Sequence, residues 1–202
     1  MEDAAALIEE FDAAPVAVLG WSAGGVIAAS LAANHPSLVS SLVLVEPPLH
    51  LITHPTASTL SMLGRTTFRR HVRRDKQAAA ATMYRWSSGL STGGNTFDRL
   101  PEEMRRGMLD NADSTLREMD QQTLPYPRKA TLRAISCSVT LLIGEHSDSA
   151  FQRAGGFIRR LLPDAREVRL ADAGHFPHIE QPDAWVSAVR EALGTEAVAA
   201  TA

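Results

Sequence analysis

The sequence is poor in cysteine, in net charge and in long apolar runs. Cys137 is the only cysteine among 202 residues, so neither an internal disulfide nor a cysteine-based metal site can be built. Lysine and arginine number 20 against 23 aspartate and glutamate, a formal net charge of −3. That leaves no overall basic field to hold a nucleic-acid backbone or an anionic membrane. No apolar stretch approaches the roughly 20 residues that cross a bilayer. The opening residues, MEDAAALIEEFDAA, are acidic and amphipathic where a secretion signal is basic and then apolar. No spacing of the H-E-x-x-H kind occurs. These absences lead us to expect a cytoplasmic protein with no nucleic-acid or membrane partner, no metal and no cofactor. The 45% hydrophobic content suits one domain, residues 1–202, with a substantial core.

The apolar pattern shows how that core is built. Ala4, Leu7, Ile8 and Phe11 recur at helical spacing until Pro15, and Val16 to Leu19 is a short apolar run. A helical VIAASLAA follows at 26–33, then a second apolar run, Leu42 to Val45. Strand, helix, strand without polar alternation predicts the α/β class: a parallel sheet with helices on both faces. From 47 to 134 the character changes to prolines, an arginine cluster (Arg65, Arg69, Arg70, Arg73, Arg74) and amphipathic stretches such as KQAAAATMYRW and EEMRRGMLDNADSTLREMDQQ. The arginines read as a solvated helix face, with anionic-substrate binding as the alternative. SSGLSTGGN, 87–95, reads as a flexible loop. Phe68, Tyr84, Trp86 and Phe97 read as packing between insertion and core, or else as pocket walls. The sheet pattern resumes at Val139 to Ile143, followed by a helix with Phe151, Ala154, Phe157, Ile158 and Leu161 on one side. Glu167 to Leu170 alternates like a strand near the sheet edge. A last helix starts at Pro182 and stops at Gly194, with TEAVAATA beyond it expected to fray.

One stretch interrupts this pattern. Gly20-Trp21-Ser22-Ala23-Gly24 matches G-x-S-x-G between a buried strand and a helix, where the motif has a mechanism. A sharp turn there strains the serine backbone and brings chain segments close, which calls for glycine two residues before and after. The hydroxyl is lifted clear of the sheet, over the unpaired N–H groups of a helix N-terminus that suit an oxyanion. Ala23 supplies one such N–H. A bare G-x-S-x-G arises by chance in roughly one chain in fifteen of this length, and the plain alternative is a turn in which Ser22 caps the helix. A serine nucleophile needs a base, usually a histidine oriented by a carboxylate. His175 lies in Asp172-Ala173-Gly174-His175-Phe176-Pro177-His178, just past the last strand, where it can reach across the strands' carboxyl ends. His178 reads as a wall or surface residue. His35, His50, His54, His71 and His146 read as solvated.

Taken together, these motifs resemble the α/β-hydrolase family, in particular its lid-bearing members. VAVLGWSAGG resembles the nucleophile elbow, SLVLVEPP the next strand, VTLLIGEHS the strand and loop that present the acid, and LADAGHFPHIEQPDAW the histidine loop and last helix. The resemblance implies Ser22 as nucleophile, His175 as general base, Ala23 in the oxyanion hole and a helical lid over 47–134. Trp21, beside the nucleophile, is assigned to substrate binding.

The sequence departs from the family in two places. Where members commonly carry an aspartate, three residues past the glycine that ends the strand, this chain has Ser147. Two acids remain: Asp148, one residue later, and Glu46, at the end of the second strand. Glu46 is favoured, because a carboxylate closing an apolar strand needs a partner; its alternative role is a structural contact to an arginine of the lid. The elbow also follows only one helix, where the family has several earlier strands and a loop that donates the second oxyanion N–H. The chain thus matches the C-terminal half of the family's sheet, and its strand at 16–19 is expected to expose an edge that invites self-association. The function expected is serine-dependent hydrolysis of an ester, thioester or related acyl bond in a small molecule, through an acyl-enzyme. The alternatives are carbon–carbon bond hydrolysis on the same triad and a non-catalytic binding or assembly module.

Overall fold

The computed structural model describes residues 1–49, 54–119 and 126–194. His50, the end of the amphipathic stretch at 120–122 and the TEAVAATA tail lie outside the described residues. In chain order the elements are α1 (Glu2–Glu10), β1 (Val16–Trp21), α2 (Ala23–Asn34), β2 (Val39–Val45), α3 (Ala57–Thr67), α4 (Lys76–Ser87), α5 (Glu102–Asp110), α6 (Ala112–Met119), α7 (Lys129–Arg133), β3 (Ser138–Gly144), α8 (Ser149–Leu161), β4 (Arg166–Leu170), α9 (Pro177–Glu180) and α10 (Pro182–Ala192).

Among the described residues the sheet has four strands in the order β1-β2-β3-β4, every pair parallel. The two central strands read as unbroken apolar runs because both of their faces are covered. On one face, Leu42, Leu44, Leu141 and Ile143 pack with Val26, Ala29 and Leu31 of α2 and with Phe157, Ile158 and Leu161 of α8. On the other, Val43, Val45, Leu142 and Leu170 pack with Ala188, Trp185 and Val189 of α10. Successive strand residues therefore supply opposite layers, as a period of two requires. This is the α/β architecture that the apolar runs predict.

Helices α3 to α7 form an insertion between β2 and β3. Thr56 and Asp75 start two of them by accepting the Thr59 and Ala78 N–H groups at 3.1 and 2.8 Å, the expected N-cap chemistry. The stretch at 87–95 differs from the flexible loop expected. Its Leu90 N–H donates to Gly94 O at 3.1 Å and its Ser91 N–H to His146 O at 2.7 Å, so it closes on itself and is tied to the loop after β3. Nor is the arginine cluster simply a solvated face. Arg69 donates to Ala78 O at 3.4 Å and to Thr82 Oγ1, and Arg70 to Leu116 O at 3.3 Å, joining the segment just after α3 to α4 and α6. Arg65, Arg69 and Arg73, with Gly64 and Phe68, line a cleft of about 320 Å³ that includes none of the candidate site residues. Tyr84 stacks on Phe97 with centroids 5.3 Å apart, and Trp86 meets Phe151 at 5.4 Å, whereas Phe68 is 51% exposed.

Candidate active site

All four strands point their carboxyl ends the same way, and the loops leaving them converge. After β1 the chain turns sharply into α2. Ser22 sits at that corner with φ 51° and ψ −123°, a region that costs a non-glycine residue of order 1–3 kcal/mol. Its N–H donates to Val45 O and its carbonyl accepts from the Gly25 N–H, each at 2.9 Å, which hold the strained turn. The tight glycines are only partly those expected. A Cβ at Gly20 would lie 2.5 Å from Gly24 O and one at Gly25 2.8 Å from Pro47 Cβ, but one at Gly24 would meet nothing within 4 Å. The close approach is therefore at positions 20 and 25. Ala23 opens α2, so its N–H belongs to the first turn, whose donors have no partner within the helix.

His175 reaches Ser22 from the loop after β4. Its Nε2 lies 3.0 Å from Ser22 Oγ, and its Nδ1 lies 2.9 Å from Glu46 Oε2. Glu46 directly follows β2, has φ 46° and is fully buried; His175 is 2% exposed. Ser22, His175 and Glu46 thus form one hydrogen-bonded chain across residues far apart in sequence. Asp148, the other candidate acid, is not in it. Its carboxylate caps α8 by accepting the Ala150 N–H at 2.8 Å and also accepts from Ser58 Oγ at 2.9 Å. The physical reason is local: position 148 is the first residue before α8, where a carboxylate is drawn to the helix's free N–H groups.

Trp21, expected against substrate, packs on the histidine loop. Its indole N–H donates to His175 O at 2.8 Å, and its ring lies 4.8 Å from that of His178 and 5.2 Å from that of Phe176. Burial among these rings pushes the His178 imidazole below the ordinary histidine value, with the Glu180 carboxylate acting in the opposite direction. Sequence reasoning missed the contacts of three further residues. Phe151 of α8 stacks on the His175 ring at 4.0 Å. Glu180 accepts the Gly174 N–H at 2.5 Å and the Thr96 hydroxyl, pinning the histidine loop to the insertion. The Ser147 hydroxyl donates to Glu46. In the sequence Phe151 is only one more apolar residue of a helix face and Ser147 only the position where the family's usual acid is missing, and nothing in spacing singles out Glu180.

Among the described residues, one group has three potential metal-ligand atoms within 4.8 Å of one another, that of Glu145, His146 and Asp172. His146 Nε2 and Asp172 Oδ1 are 3.5 Å apart there, and both carboxylate residues are exposed. His146 is therefore paired rather than simply solvated. No described helix is long and apolar enough to cross a membrane.

Comparison with known proteins identifies the wider family. The family described as "alpha/beta hydrolase fold" matches residues 2–182. The chain belongs to the α/β-hydrolase family. This α/β hydrolase is 24% identical over 174 residues to a pimeloyl-[acyl-carrier protein] methyl ester esterase of Nitrosospira multiformis, covering 84% of this chain and 65% of that one. It is 27% identical over 199 residues to the protein of the same name from Chromobacterium violaceum, covering 91% and 72%. The chain thus spans 56–72% of the length of the first curated relatives it matches. Among solved structures it superposes on a carboxylesterase of the thaumarchaeon Nitrososphaera gargenis with a TM-score of 0.70 at 20% identity, covering 96% of this chain and 70% of that one. Both curated relatives are named as esterases, and the solved neighbour is a carboxylesterase.

Proposed function

We propose that the protein hydrolyses carboxylic esters through a Ser22–His175–Glu46 triad and a covalent acyl-enzyme. The observation that carries this reading is the hydrogen-bonded chain at 3.0 and 2.9 Å, with Ser22 held at φ 51°. As Ser22 Oγ attacks the ester carbonyl, its proton passes to His175 Nε2, and Glu46 holds the Nδ1–H side and stabilises the imidazolium. The oxyanion faces the Ala23 N–H at the start of α2. Collapse breaks the bond to the alkoxy group, which leaves as an alcohol with the proton from His175. Water then attacks the acyl-serine with His175 again taking a proton, and release of the acid restores Ser22. No cofactor enters these steps. The helical insertion, tied to the loops after β3 and β4 through Ser91 and Thr96, acts as the lid. The curated relatives' names suggest a methyl ester on an acyl chain borne by a carrier protein as the substrate to try beside simple esters.

The test is intact-mass analysis after exposure to a fluorophosphonate, together with p-nitrophenyl ester turnover. We expect one label per chain in the wild type and none in Ser22→Ala. Glu46→Gln is expected to lower kcat by about 10³- to 10⁴-fold, as loss of the orienting acid does elsewhere, and Asp148→Asn to leave kcat near the wild-type value. Folded wild-type protein that takes no label would favour the reading of a non-catalytic module.

A further inference from the structure

Glu46 is fully buried, and a carboxylate withdrawn from water keeps its charge only when donors satisfy its oxygens. One oxygen, Oε2, faces His175 Nδ1 at 2.9 Å. The other, Oε1, accepts the Gly144 N–H at 2.7 Å and the hydroxyl of Ser147. A glutamate has two side-chain torsions beyond the first that can swing its carboxylate away from an imidazole, so contact with His175 alone does not fix it. The pair of donors on the far oxygen does.

We propose that Ser147 is a positioning residue for the acid: its hydroxyl locks the Glu46 carboxylate so that Oε2 points at His175 Nδ1, which leaves Nε2 free to take the Ser22 proton. The proposal rests on the ester-hydrolase reading of Ser22 and His175. Ser147 is suited to the task because its own loop is held on three sides. It is 2% exposed and its backbone bridges to Leu90 of the insertion. The His146 N–H donates to Ala173 O at 2.7 Å, and Gln152 Nε2 of α8 donates to Gly144 O at 2.6 Å. The hydroxyl therefore meets the acid from a fixed frame, and a charged acceptor makes each donor count for more than one between neutral groups.

The experiment compares wild type, Ser147→Ala, the near-isosteric weak donor Ser147→Cys and the hydroxyl-retaining Ser147→Thr, each checked for folding by circular dichroism. Ester turnover separates kcat from KM, and proton NMR follows the low-field resonance of the hydrogen between His175 Nδ1 and Glu46. Ser147→Ala is expected to lower kcat by about ten- to a hundredfold with KM little changed, and to shift or broaden the resonance. Ser147→Cys should fall between the two, and Ser147→Thr should restore both readouts. An unchanged resonance in Ser147→Ala, or in Ser147→Cys if the alanine variant does not fold, would overturn the proposal, as would a wild-type kcat. The resonance reads the Glu46 contact without turnover. A wild type that neither labels nor turns over therefore sinks the hydrolase reading, whereas an unmoved resonance sinks this one.

Discussion

At the scale of single residues, His178 shows how the aromatic surroundings of the histidine loop respond to pH. Its ring lies 4.8 Å from that of Trp21 and 6.1 Å from that of Trp185, and burial holds its imidazole below the ordinary value. The folded protein then binds fewer protons at this site than the unfolded chain wherever pH lies between the two values. Stability rises with pH across that window. The contribution is full above the unfolded value of about 6.5 and is lost as pH falls below it. Urea titrations at a series of pH values should show the loss in the wild type and a flatter acid side in His178→Phe. Equal slopes in the two proteins would place the titration elsewhere. Among single residues, the sequence makes legible those that carry a local signature. Ser22 stands out by the glycines around it, and Glu46 by closing an apolar strand. Phe151 and Glu180 carry no such mark, because only the fold decides what they touch; Ser147 is marked only as the place where the usual acid is missing, and its partner Glu46 lies 101 positions away. Asp148 misleads for a related reason, since a carboxylate one residue before a helix is as good a cap as it is a triad acid.

At the scale of elements, the strand-to-helix turn at 20–25 gives a sharp contrast. Gly20→Ala puts a Cβ 2.5 Å from a backbone oxygen, and Gly25→Ala puts one 2.8 Å from the Pro47 ring, neither of which is the free end of a flexible side chain. Each should lower the unfolding free energy by about 1–3 kcal/mol, the range of overpacked sites. Gly24→Ala meets nothing within 4 Å inside a helix and should be neutral or raise stability by up to about 1 kcal/mol. Chemical denaturation of the three variants checks the order; a Gly24→Ala variant as unstable as Gly20→Ala would contradict the packing described. The motif alone cannot separate these glycines, because G-x-S-x-G marks position 24 and says nothing of position 25. Strand positions are read more faithfully: three apolar runs and the alternating segment at 167–170 are the four strands, and the two central ones need an uninterrupted run because both of their faces are covered. The stretch at 87–95 is the converse case, where small polar residues suggest freedom while backbone bonds to Gly94 and His146 hold it in place.

At the scale of the whole molecule, β1 is an edge strand of the described sheet, and Leu19 on it is 39% exposed, with Phe11 nearby in sequence at 72%. An open parallel edge with apolar side chains is a template for pairing. The protein is therefore expected to self-associate through β1, with sedimentation velocity showing a concentration-dependent larger species that Leu19→Lys weakens. A strictly monomeric wild type would remove that expectation.

The span of the site has a further consequence, in time rather than in space. Ser22 and His175 are 153 positions apart and Glu46 and His175 are 129 apart, yet all three must meet at one end of the sheet. Contacts between such distant segments form only after the loops between them have closed, which makes parallel α/β chains slow folders. Reactivity toward a fluorophosphonate should thus be among the last properties to return when the denatured chain is diluted into buffer, lagging the recovery of helical signal. A nucleophile made reactive by the final strand would serve as a clock for completed folding.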